Sequence, residues 1–240
     1  MNDISTPKSG SSESTQSPPV QRLTRILYGM GGITGGMVSF GLGMFVLVYY
    51  SRVLGLSAGL VGTVLAIALI FDAISDPLVG YASDKFRSRW GRRHPFMYLA
   101  SLPVSFLVYL LWNPPHESLD PQGLFVYLLC VTVSLRLLLT CFEVPSIALN
   151  PELTDDYDER THLANYRVSA SWIAMTILGF LLYGYWLSDT PEYPDGLLNI
   201  SGYEKMGLAS AITVFIAMLV CSIGLHPQIS KFKQPVENHK

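Results

Sequence analysis

The sequence predicts an all-α membrane protein of six transmembrane helices, and three observations carry that prediction. Half of the 240 residues are hydrophobic and only 14% are charged, against about 25% charged in an ordinary soluble domain; mean hydropathy is +0.34. Six apolar segments, at 26–50, 58–81, 96–112, 123–149, 162–187 and 206–225, come near or reach the roughly 20 residues a transmembrane helix requires. Lys and Arg are unevenly shared: twelve of the sixteen fall in the terminal stretches and in the connections after the second and fourth segments, while Arg52 and Lys205 fall on the other side. That positive-inside bias places both termini in the cytoplasm.

Taken in order, residues 1–22 are rich in Ser, Thr, Pro and Gln and cannot bury enough apolar surface to fold, so a disordered cytoplasmic tail is expected. No apolar h-region within it marks a secretory signal. The first segment carries Gly29, Gly31, Gly32, Gly35, Gly36, Gly41 and Gly43; glycines four apart let helices approach closely, and would also leave a wall open to a bulky solute. The third segment is the shortest at 17 residues, and its Pro103 predicts a kink. In the fourth, Pro145 follows Glu143 closely and either bends the helix or shapes a cavity. Residues 23–226 are expected to form one bundle. Tyr28, Tyr49, Tyr50, Trp112 and Trp186 lie near segment ends and read as interfacial anchors.

Several classes are excluded on the same grounds. The net charge of -2, with basic residues confined to short loops, gives no patch for nucleic acid. Cys130, Cys141 and Cys221 sit at unrelated spacings in apolar segments, which supports neither a disulfide framework nor a zinc site.

The charges inside the segments are the features that need a function. Asp72 and Asp76 lie four apart in the second segment, on one helix face, and each carboxylate in hydrocarbon costs about 3 kcal/mol on insertion scales. Ser75 stands beside them; the fourth segment adds Arg136, Thr140 and Glu143 on one stripe, and the fifth adds Arg167. Carboxylates with a hydroxyl are hard oxygen ligands for sodium, and can instead hold a proton. An arginine fork and a carboxylate suit sugar hydroxyls or an anionic group. Arg136 also reads as a structural bridge to Asp72 or Asp76.

The connection after the second segment completes a longer pattern. Asp72 and Asp76, then Pro77, Gly80 and Asp84, followed by Arg87, Arg89, Trp90, Gly91, Arg92 and Arg93, closely resemble the glycoside-pentoside-hexuronide:cation symporter family of the major facilitator superfamily. The likeness runs from about residue 28 to 225. It implies the N-terminal six-helix bundle of a major facilitator fold, with Asp72, Asp76 and Thr140 as cation ligands and Ser75 at a position usually occupied by another polar residue. It further implies Glu143 and Arg167 at the sugar site and Asp84, Arg92 and Arg93 in a cytoplasmic gate. The melibiose-transporting member carries a lysine and an acid where this chain has Gly35 and Gly36, which implies a solute other than melibiose. The acidic stretch 150–161 is either the partner of the basic gate loop or a solvated loop.

Family members have about twelve helices, so a missing C-terminal six-helix half, or a second copy, is expected as a partner, with residues 227–240 opening the central cytoplasmic linker and truncation as the explanation for the length. The function expected is cation-coupled symport, with Na+ or H+, of a sugar or glycoside across a bacterial inner membrane. A lysophospholipid or other amphiphile transporter of the same fold, contacting membrane lipid, is the alternative, and a structural half-bundle without transport of its own is the third reading. An intramembrane aspartyl enzyme would place its two acids on different helices, so no enzyme and no cofactor beyond the coupling cation is expected.

Overall fold

A computed structural model describes residues 20–189 and 193–231. Most of the expected tail, residues 1–19, and most of the expected linker, residues 232–240, lie outside the described residues. Six helices are long and apolar enough to cross a membrane: α1 (Arg22–Val53), α2 (Ala58–Lys85), α3 (His94–Trp112), α4 (Pro121–Leu153), α5 (Tyr157–Trp186) and α6 (Ile200–Gln228). The protein is an integral, multi-pass membrane protein.

Local chemistry sets the helix starts. Ser57 caps α2 by accepting from the Leu60 amide, and Asp120 caps α4 by accepting from Gly123 with Pro121 at the first turn. Asp156 caps α5 through the amides of Asp158 and Glu159, and Asn199 caps α6. Each satisfies amides that the helix itself leaves without partners. The turn before α3 needs Gly91, whose φ of +78° is a conformation side chains disfavour. α3 runs on as one helix through Pro103, and α4 stays helical through Pro145 to Ala148.

The closest-packed pairs follow an arc in the order α2, α4, α3, α6, α1, α5, and α1 also meets α2 and α4 across it. Its two end helices, α2 and α5, are the least buried, with 22% and 11% of their most apolar windows buried against 39–50% for the other four. α2 and α4 run parallel at a constant sequence offset of 64. Asp72 meets Arg136, Asp76 meets Thr140, a Cβ on Gly80 would touch Val144, and Asp84 reaches Ala148 through Arg93. One contact per four residues is the pattern of two helices meeting along their i, i+4 rows.

α1 and α5 approach still more closely. A Cβ on Gly32 would stand 2.2 Å from the Arg167 carbonyl oxygen, and one on Gly36 would stand 2.8 Å from Ser171 Cβ. Ser171 donates a 2.6 Å hydrogen bond to the Gly32 carbonyl across the same contact. Close packing of backbones through small residues is how membrane helices associate where lipid is as apolar as the side chains.

The aromatic anchors are a correction to the sequence reading. Tyr28, Tyr49, Tyr50 and Trp112 are buried inside the bundle, none more than 3% exposed, instead of facing the membrane interface; Trp186 is half-buried. The last carbonyls of α3 explain Tyr49 and Tyr50, and they hold Tyr127 of α4 as well. Tyr127 donates to Leu110, Tyr50 to Leu111 and Tyr49 to Trp112, at 2.8, 2.8 and 3.2 Å, which satisfies groups a helix end leaves unpaired. Trp112 stacks on Tyr203 beneath them.

Candidate functional site

α2 and α4 build the first half of the site. Thr140 Oγ1 donates to Asp76 Oδ1 at 3.0 Å, and Ser75 Oγ lies 3.4 Å from the same hydroxyl and 3.3 Å from the Asp72 carbonyl. Ser75 and Thr140 are buried, Asp72 is half-buried, and Asp76 lies on the exposed side of α2. The four residues therefore meet at the edge of the arc and not deep within it. Arg136 Nη1 stands 3.1 Å from Asp72 Oδ2, which pairs it with that aspartate.

α1, α4 and α5 build the second half. Arg167 Nη1 donates to Ser146 Oγ at 2.5 Å, and its guanidinium lies over the Tyr28 ring, 5.2 Å from the centroid. A Cβ on Gly31 would stand 2.6 Å from Arg167 Nη1, and one on Gly35 would stand 1.8 Å from Glu143 Oε1. Gly31 and Gly35 are one turn apart, so the cationic and anionic heads rest on successive turns of α1, roughly 5–6 Å apart at the Cβ level. Among the described ion pairs, none joins Arg167 to Glu143.

The connections after α2 and α4 form a third cluster. Arg93 is bound by Asp84 at 2.7 Å, by Glu152 at 2.8 Å and by the Ala148 carbonyl. Glu152 also accepts from Arg92, so one acid of the stretch 150–161 holds both arginines of the basic loop. Arg25 at the start of α1 pairs with Glu159 on α5 at 2.8 Å, and Arg160 Nε donates to the Thr154 carbonyl at 3.0 Å.

Sequence reasoning named Asp72, Ser75, Asp76, Thr140, Arg136, Glu143, Arg167, Asp84, Arg92 and Arg93, and the structure gathers them into these three clusters. It missed Ser146, Gly31 and Gly35 as seats for charged heads, and the individual acids Glu152 and Glu159. Ser146 follows Glu143 by three residues, so helical spacing was a signal for it. The glycine seats had none, because a side chain's resting place depends on which helix lies opposite.

The chain matches the MFS/sugar transport protein family over residues 27–240. It is 33% identical to an uncharacterized symporter of Synechocystis over 94% of its own length and 40% of the relative's. A putative glycoside/cation symporter of Escherichia coli is 35% identical over 60% of the chain and 31% of the relative. A sodium-dependent lysophosphatidylcholine symporter of Danio rerio is 29% identical over 67% of the chain and 30% of the relative. The chain thus spans well under half the length of these curated relatives. It belongs to the glycoside-pentoside-hexuronide:cation symporter family of the major facilitator superfamily, a family of transporters and not of enzymes.

Proposed function

We propose that this bundle is the cation-binding half of a secondary transporter that couples the inward movement of Na+ or H+ to that of a sugar or glycoside. The observation that carries the reading is Asp76 held by Thr140 beside Ser75 and Asp72, a set of hard oxygen groups at membrane depth. Ionisable groups retained at that depth mark ion or substrate paths. Glu143 and Arg167, seated on α1, supply an acceptor and a fork-shaped donor for solute hydroxyls.

In this reading the solute binds between this bundle and a second six-helix bundle, as substrates of inverted-repeat transporters bind near the midplane between halves. Cation at Asp72 and Asp76 favours the solute-loaded state through differential affinity, and the Asp84, Arg92, Arg93 and Glu152 cluster closes the cytoplasmic side. Both termini lie in the cytoplasm, and the membrane is a bacterial inner membrane, in keeping with the two bacterial relatives. The test is glycoside uptake into vesicles carrying the complete transporter, with sodium and proton gradients imposed separately. Asp76→Asn should abolish gradient-driven accumulation while solute exchange persists; full accumulation by that variant overturns the proposal.

A second reading has its own support. An apolar cavity of about 340 Å³ lies between α1, α5 and α6, lined by residues including Met30, Ile33, Met37, Ile177 and Trp186, and the lysophosphatidylcholine symporter is a relative. Lysophospholipid uptake in the same vesicles, with no response to glycosides, would establish this reading over the first.

A further inference from the structure

We infer that Arg136 is a tethered competitor for the coupling cation at Asp72, and so sets how tightly that cation binds. This rests on the cation-site reading above. Arg136 Nη1 and Asp72 Oδ2 are 3.1 Å apart, with the two side chains 21% and 20% exposed. A cation ligated by Asp72 would share that carboxylate with a guanidinium, and two like charges a few ångströms apart repel strongly where water is scarce. An opposite charge beside a carboxylate lowers its affinity for a proton by about one to three powers of ten, and the same electrostatics acts on sodium.

The hold on Arg136 is light enough to be released. Its Nε is buried with no hydrogen-bond partner, and its head is held by the Asp72 carboxylate. Arg93, by contrast, is held by Asp84, Glu152 and a main-chain carbonyl. The arrangement of the neighbours makes the competition specific to Asp72. Thr140 is already committed to Asp76, one turn further along both helices, so the Asp76 end keeps its ligand geometry while Arg136 moves. A purely structural bridge needs no such division of labour.

Calorimetric titration of the purified complete transporter with NaCl, at ionic strength fixed with choline chloride, reads the competition directly. Arg136→Gln should bind sodium about tenfold more tightly than the wild type, and Arg136→Lys should stay near the wild-type value; melting curves verify that each variant is folded. Equal or weaker binding by a folded Arg136→Gln overturns the inference. The wild type offers a measurement independent of any substitution: sodium should raise phenylglyoxal labelling of Arg136, read by peptide mass spectrometry, whereas unchanged or reduced labelling overturns the inference. If the wild-type transporter binds no sodium, the sodium-site reading fails and this inference with it. If the wild type binds, Asp76→Asn does not, and Arg136→Gln matches the wild type, the site stands and only the role of Arg136 is lost.

Discussion

Glu143 rests its carboxylate on Gly35, one turn beyond the point where Gly31 seats the Arg167 guanidinium. A side chain at either position would occupy the space of a charged head. The glycines of α1 therefore act in two ways: Gly32 and Gly36 bring α5 close, and Gly31 and Gly35 leave room for the charges that α4 and α5 supply.

That division predicts opposite outcomes for two similar substitutions. Gly35→Ala meets the far end of a flexible side chain, so the fold should persist while Glu143 is displaced. Loss of one charged hydrogen bond is worth about 1.5–3 kcal/mol, so glycoside affinity in the complete transporter should fall tenfold or more at an unchanged melting temperature. Gly32→Ala meets the Arg167 backbone, which cannot swing aside, and should cost about 1–3 kcal/mol of stability as an overpacked contact does. A Gly32→Ala protein that melts like the wild type would contradict the close α1–α5 approach.

Thr140→Val keeps the shape of the side chain and removes the hydroxyl that serves Asp76 and Ser75. Sodium affinity of the complete transporter should fall about tenfold or more, since hydrogen bonds to charged groups contribute about 1.5–3 kcal/mol. Thr140→Ser, which restores the hydroxyl, should recover most of the loss by calorimetry.

Glu152→Gln removes the charge shared by Arg92 and Arg93. The two arginines then lose a common partner at a cost of roughly 2 kcal/mol, and hydrogen exchange in the 149–153 segment should rise while the centre of α4 stays protected. Equal protection in both proteins would show that Glu152 does not fasten this end.

Tyr50→Phe leaves the Leu111 carbonyl at the end of α3 without its 2.8 Å donor. An unsatisfied buried acceptor costs about 1–3 kcal/mol, so the variant should melt earlier than the wild type. An interfacial anchor, by contrast, would tolerate phenylalanine, which makes this substitution a direct check on the corrected placement.

The individual elements were readable because each is decided by local composition. Apolar length fixes the number of spans whatever they pack against. The aspartate pair was readable for the same reason, since its cost in hydrocarbon depends on depth alone. The placement of the tyrosines was not. A tyrosine near a segment end suits the membrane interface by its own chemistry, and only the open carbonyls of α3, brought beside α1 and α4, draw Tyr49, Tyr50 and Tyr127 inward.

By itself, then, the sequence determined six spans, the charged residues they carry and the family pattern from Asp72 to Arg93. Tertiary structure alone decided the partners: Arg136 with Asp72, Thr140 with Asp76, Glu152 with both loop arginines, Glu143 on Gly35. The physical reason is range. Burial in lipid acts on each segment separately, whereas an ion pair or hydrogen bond needs two heads within about 3 Å, and that distance is set by the register and approach of helices distant in sequence.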